Sequence, residues 1–357
     1  MPRSSHGNGR IAWLDILKLL GIMSVYIGHQ GPGVGRLYPF VWNFEIPLLF
    51  FCSGVIHKDR EAILPYIKRK ALCLMVPYYF FLLLCLGKTL LLETVTRKDI
   101  LWFFIYGILG CKEFPFVDFL WFFPALFAMS IIARWLHILI PDTRIRFPVC
   151  LVLSYLAGIY LAEFKHVPLS LNLSLVYLMY YEAGFALHSI YRGKLRLAFR
   201  AGGWLFIVYA AVVYRLGSRL IPPSPNPVLS FFTGTCGTFF LILAFIYMAK
   251  ALQGCSFFAR LGKHTLYYYG NELLIKTIFS YLCIMLGLSY EVHGEMIAII
   301  NSALLVFLVY KVMIPLEQPI LNKMVTAADK ILSRLPFWRE SNERHEEEEW
   351  IDQGVLH

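Results

Sequence analysis

The sequence predicts an all-α, polytopic integral membrane protein of about ten transmembrane helices, and three observations predict it. Of 357 residues, 58% are hydrophobic and only 16% are charged, with a mean hydropathy of +0.62. A soluble domain of this length needs more charge to hydrate its surface. The apolar residues fall in runs of about 17–23, the length a helix needs to cross roughly 30 Å of hydrocarbon. The basic residues gather in short segments between those runs, as the positive-inside rule arranges them.

The expected spans are 11–30, 38–56, 71–92, 117–140, 147–163, 169–190, 203–219, 228–249, 265–288 and 295–315. The first has Arg3 and Arg10 before it, as a signal peptide does. Asp15 and Lys18 interrupt its apolar run, however, and no small-residue cleavage site follows, so it reads as a retained helix. The segments after the second, fourth, sixth and eighth spans carry the positive charge: Lys58, Arg60, Lys68, Arg69 and Lys70; Arg144 and Arg146; Arg192, Lys194, Arg196 and Arg200; Lys250, Arg260 and Lys263. The alternate segments hold far less, chiefly Arg97, Lys98, Lys112 and Lys165, with Arg215 and Arg219 near one boundary. Ten crossings with both ends in the cytoplasm satisfy this asymmetry. The stretch 100–110 is apolar but short, and reads as interfacial or re-entrant.

The chain therefore divides into a transmembrane domain over 1–335 and an acidic, disordered cytoplasmic tail over 336–357, whose SNERHEEEEW run has little apolar surface to bury. A net charge of +10 also fits nucleic acid. Short clusters between apolar runs fit membrane topology and anionic headgroups better, so membrane lipids are expected as partners and nucleic acid is not. Eight cysteines lie scattered with no Cys-x-x-Cys pair, which gives metal or redox chemistry little support. No internal repeat of the kind that builds secondary transporters stands out.

An ionisable group at membrane depth costs several kcal/mol unless it is paired or faces a cavity, so each one is a functional candidate. The first helix carries Asp15, Lys18 and His29. At about 100° per residue the eleven steps from Lys18 to His29 bring both to one face, roughly 16 Å apart. Asp15, three residues before Lys18, lies on the same stripe and can pair with it. Gly28 leaves room beside His29 for another helix or a ligand. The competing structural roles are an inter-helix hydrogen bond for His29 and snorkelling to headgroups for Lys18. Glu182, Asn271, Glu272, Lys276 and Asn301 are further polar groups within apolar spans. Glu272 and Lys276, at i and i+4, are placed to neutralise each other.

Four segments carry a resemblance: Arg10–His29 (RIAWLDILKLLGIMSVYIGH), Pro47–Gly54 (PLLFFCSG), Leu120–Leu126 (LWFFPAL) and Leu261–Leu266 (LGKHTL) with Tyr269 following. In that order they resemble the acyltransferase-3 superfamily, whose branch similar to fucose 4-O-acetylases decorates polysaccharides or their lipid-linked precursors. The resemblance implies an O-acyltransferase that moves an acetyl or other short acyl group from acyl-CoA to a hydroxyl of a cell-surface glycan. It further implies an integral protein of the bacterial inner membrane, with acetyl-CoA as co-substrate, no metal, a glycan or lipid-linked saccharide as acceptor, and a homo-oligomer among the assemblies allowed.

The residues suit that chemistry. An imidazole can take the proton of a sugar hydroxyl or carry the acyl group transiently, which makes His29 the central catalytic candidate, with Lys18, Asp15 and Glu45 around it. Lys68, Arg69 and Lys70 are candidates to hold the phosphates of acetyl-CoA, against the plainer reading of a topology signal. Trp121, Tyr269 and Glu272 are candidates on the acceptor side. Tyr267, Tyr268 and Tyr269 suit stacking on a sugar, and equally an interfacial aromatic belt. Three departures from the family pattern stand out: Cys73 in place of a second arginine, Glu45 in place of a histidine before Pro47, and Glu272 in place of a histidine in the ninth span. Glu45 is the carboxylate expected to orient His29. The alternatives are a transporter or flippase for a lipid-linked saccharide, using His29, Glu45 and Glu272 as a proton relay, and an inactive relative that acts as an assembly partner.

Overall fold

The computed structural model describes residues 11–58, 62–92, 94–113, 117, 119–190, 199–216, 226–287 and 290–335, and every regular element among them is helical. The expectations for Arg3, Arg10, Arg60, Arg192, Lys194, Arg196, Arg219 and the tail 336–357 lie outside the described residues. Among the described residues five helices are long and apolar enough to cross a membrane: Ile63–Leu92, Phe122–Leu139, Phe199–Leu216, Pro227–Ala251 and Glu295–Leu332. The other expected spans are helical but shorter, less apolar or broken. The first, α1 (Ala12–Gly28), has 17 residues. The ninth, Thr265–Met285, has 21 but carries Asn271, Glu272 and Lys276.

The second expected span is two helices, α2 (Leu37–Trp42) and α3 (Glu45–Val55). The reason is local. Asn43 turns its amide back to donate to the carbonyls of Pro39 (2.7 Å) and Phe40 (3.3 Å). Pro47 has no N–H to offer the Asn43 carbonyl, and the Thr238 hydroxyl donates to it instead (2.9 Å). The sixth span likewise breaks, at Tyr177, between Leu171–Val176 and Leu178–Ile190: the Ser154 hydroxyl accepts from the Met179 N–H (3.0 Å) and donates to the Leu175 carbonyl (2.9 Å), standing in for the helical bond between them. Two spans run on past their expected ends through single π-helical turns, at Ala71–Met75 and Val309–Met313. The 100–110 stretch is a 13-residue helix, Arg97–Leu109, about 20 Å long and too short to span. A Thr96–Asp99 capping box starts it and Gly110, at φ 69°, ends it.

The chain forms two compact units, Met1–Ile56 with Tyr180–Lys311, and His57–Met179 with Val312–His357. In the first unit α1 is the hub. It packs on α2, α3, Pro227–Ala251, Ser256–Leu261, Thr265–Met285 and Glu295–Leu308, and 12 of its 17 residues are buried. A helix apolar nearly all round belongs at the centre of a bundle. Glycine allows the close crossings. A Cβ on Gly54 would lie 1.8 Å from the Tyr181 carbonyl oxygen, and one on Gly262 1.8 Å from that of Asp15.

In the second unit Leu171–Val176 packs against both Phe122–Leu139 and Thr143–Tyr160. Serine hydroxyls tie these elements to carbonyls: Ser174 to Ala125 (2.8 Å), Ser154 to Leu175 (2.9 Å) and Ser170 to Gly110 (2.9 Å). In an apolar bundle such bonds satisfy groups that have no water to turn to.

Candidate active site

His29 caps the C-terminal end of α1, its backbone N–H donating to the Val25 carbonyl at 3.0 Å. The chain then turns sharply through Gly31 and Gly35, both at positive φ (85° and 69°) that a side chain would disfavour. Gln30 pins the turn by donating to the Ser302 hydroxyl at 2.7 Å. α2 thereby returns beside the end of α1.

The His29 Nδ1 meets both oxygens of Glu272, at 2.8 and 2.9 Å. The Glu272 side chain is 1% exposed and that of His29 is 16% exposed. Lys276, one turn on, donates to the same carboxylate and sits 5.5 Å from the Tyr26 ring centroid. Tyr26 in turn donates to the Tyr268 carbonyl at 2.8 Å. A buried carboxylate needs such partners to remain an anion. With the carboxylate on Nδ1, the ring proton belongs at Nδ1 and the lone pair at Nε2.

The carboxylate on Nδ1 is thus Glu272, whereas the sequence offered Glu45. Glu45, in the first turn of α3 and 2% exposed, packs against Gly28 instead: its Oε2 lies 2.7 Å from where a Gly28 Cβ would stand. Gly28 gives the room expected of it, and Glu45 occupies it.

The remaining candidates of this unit take other places. Lys18 and Asp15 pair at 3.8 Å, as their spacing predicts. The Leu261–Leu266 segment packs on the start of α1, with Gly262 against Asp15 and the Thr265 hydroxyl on the Gly262 carbonyl (2.9 Å). Tyr269 is 2% exposed, so stacking on a sugar would require it to leave the core.

In the second unit Trp121 stacks on Tyr177, with centroids 6.5 Å apart. Lys68 reaches Asp329 and the Ser333 hydroxyl, each at 2.8 Å. Arg69 and Lys70 lie over Tyr66, 5.2 and 5.5 Å from its centroid. The Tyr66 hydroxyl is 3.2 Å from His57 Nδ1, and the His57 and His137 rings are 4.5 Å apart.

Sequence reasoning passed over His57, His137 and Arg134, each less than a tenth exposed. It also passed over Trp42, whose ring lies 6.3 Å from that of His29. The Gly-rich turn after His29 was the available signal, because a chain reversal there must bring the next helix back to the histidine. Among the described residues no three His, Cys, Asp or Glu side chains cluster as metal ligands do. Compared with family models, curated proteins and solved structures, the chain finds no match.

Proposed function

We propose that the chain is a membrane O-acyltransferase that carries a short acyl group, acetyl in the first instance, from acyl-CoA to a hydroxyl of a cell-surface polysaccharide or its lipid-linked precursor. The observation that carries the reading is the Glu272 carboxylate on His29 Nδ1, at the end of a helix otherwise buried in an apolar bundle. An imidazole so held keeps its lone pair at Nε2 and has an anion beside it when it takes a proton.

The acceptor hydroxyl gives its proton to His29 Nε2 as its oxygen bonds to the thioester carbonyl carbon. The tetrahedral intermediate collapses, the C–S bond breaks, and the imidazolium returns the proton to the departing CoA sulfur. Lys276 keeps the Glu272 charge balanced throughout. Lys68, Arg69 and Lys70 remain the candidates for the CoA phosphates on the strength of the sequence, and Lys18 pairs with Asp15 near the opposite end of α1. Ten crossings, both termini in the cytoplasm and a bacterial inner membrane belong to the same proposal, on the strength of the loop charges and the motif resemblance.

Membranes bearing the protein, given radiolabelled acetyl-CoA and the glycan of the producing cell, should transfer label to glycan, and His29→Ala of equal abundance should not. The His29–Glu272–Lys276 chain of ionisable groups also suits a proton-coupled saccharide transporter. Proton-driven saccharide movement with no acylated product would establish that reading and overturn this one.

A further inference from the structure

Trp42 stands at the end of α2 with 53% of its surface exposed, while its neighbours Phe40, Val41 and Phe44 are buried. It is not a loose surface ring. Its indole N–H points to the Gly28 carbonyl at 3.4 Å, one residue before the candidate base. Tyr38, one turn earlier, lies against it with centroids 5.8 Å apart. The Trp42 and His29 rings meet edge to face at 6.3 Å and 70°, within the roughly 4.5–7 Å range of rings in contact.

An exposed indole costs hydration wherever it faces water, and here it is held rigidly beside the group that would take a hydroxyl proton. The polarised C–H face of a pyranose complements the negative face of an aromatic ring, as an aromatic edge does. The sugar hydroxyls, which project from the ring edge, are then left to polar groups. His29 supplies such a group beside the indole.

We propose that Trp42, with Tyr38 behind it, is the platform on which a pyranose ring of the acceptor stacks, setting one ring hydroxyl against His29. This moves sugar recognition from Tyr269, which is 2% exposed, to a residue on the other side of the Gly31–Gly35 turn. It rests on the acyltransferase reading for its purpose, but not for its test, because binding can be read without any transfer.

The full chain in nanodiscs is titrated with the methyl glycosides of L-fucose, D-galactose, D-glucose and N-acetyl-D-glucosamine. Saturation-transfer NMR follows their ring protons. At least one glycoside should give a saturable signal strongest on the protons of one ring face. The signal should disappear in Trp42→Ala, persist in part in Trp42→Phe, and survive in His29→Ala. If transfer is also seen, Trp42→Ala should raise KM for the acceptor about tenfold, the loss of one stacked ring, and leave KM for acetyl-CoA in place.

The competing role for a half-exposed tryptophan is anchorage in the lipid interface. Nanodiscs made with brominated phosphatidylcholine separate the two, since bromine quenches only indoles that touch lipid. The emission lost in Trp42→Phe should be unquenched in the parent protein. Strong quenching of that emission overturns the platform, and so does a panel in which no glycoside gives a Trp42-dependent signal. A glycoside signal without any acyl transfer leaves the platform standing and removes the acyltransferase reading.

Discussion

Each unit of the chain sets a histidine against charged neighbours, a half-buried His29 in one and a buried His57 in the other, and the group nearest each differs in sign. At His29 the contact is a carboxylate, Glu272, itself balanced by Lys276. At His57, in the segment between α3 and Ile63–Leu92, burial comes first. The basic neighbours His137, Lys70, Arg134 and Arg146 then add to it, and together they hold the imidazole far below its usual range. Arg146 is fixed where it stands by bonds to the carbonyls of Ile140 (2.8 Å) and Pro141 (3.0 Å). The same side chain thus meets an anion in one unit and cations in the other. What such a histidine can do depends on the sign of the charge around it as well as on its burial.

The sharpest way to break that contrast is to remove the anion from His29. Glu272→Gln keeps the shape and an oxygen able to accept from Nδ1–H, but not the charge that supports an imidazolium. Acyl transfer should fall about 10²-fold, carried by kcat with little change in KM, and protein abundance should hold. Glu45→Gln tests the rival carboxylate; a loss as large as that of Glu272→Gln would mean that both carboxylates serve the ring. Next in size is a steric change at the far end of α1. Gly262→Ala places a methyl 1.8 Å from the Asp15 oxygen. Thermal unfolding in detergent should show a loss of about 1–3 kcal/mol. An unchanged melting temperature would mean that α1 is not fixed there.

His29 was legible in the sequence because an ionisable group inside an apolar run has few reasons to be there. Its partner was not, because His29 and Glu272 are 243 residues apart and the local i, i+4 pairing of Glu272 with Lys276 looked sufficient. The lysine does pair as read, but the carboxylate has two oxygens and room for both. Hydropathy located the helices but missed their breaks, which lie in a few hydrogen bonds, at Asn43 and where the Ser154 hydroxyl meets Met179 and Leu175. Of the helices that carry the candidate site, α1 is absent from the five because it has only 17 residues, and Thr265–Met285 because Asn271, Glu272 and Lys276 make it less apolar. His57 escaped notice because the positively charged segment after it already had an explanation as topology.

The smaller tests address the cationic side. His57 is neutral in the folded protein well below its ordinary value of 6.5, whereas the unfolded chain takes up a proton there. Stability therefore falls as pH drops below about 6.5, by up to about 1.4 kcal/mol per pH unit from this group, and is unaffected by it above. His57→Gln should flatten that acid limb of melting temperature against pH without shifting the neutral plateau in parallel with it. An identical slope in parent and variant would show that His57 is not held neutral.

The least change in stability is expected at Lys68, yet it decides what the cationic side is for. Its partner Asp329 is half exposed, and such a pair contributes about 1 kcal/mol at most. If Lys68 only straps Ile314–Leu332 in place, Lys68→Ala and Asp329→Asn should lower the melting temperature alike and leave KM for acetyl-CoA untouched. If it holds a CoA phosphate, the two substitutions must act with opposite sign. Lys68→Ala removes a cation and raises KM for acetyl-CoA, while Asp329→Asn releases that cation from a competing anion and lowers it. We expect the opposite signs, each a few-fold in size, because Lys68 stands in one basic run with Arg69 and Lys70, and a polyanion gains from several cations at once. Parallel changes in the two variants would reduce Lys68 to a strap and leave the donor to be held elsewhere.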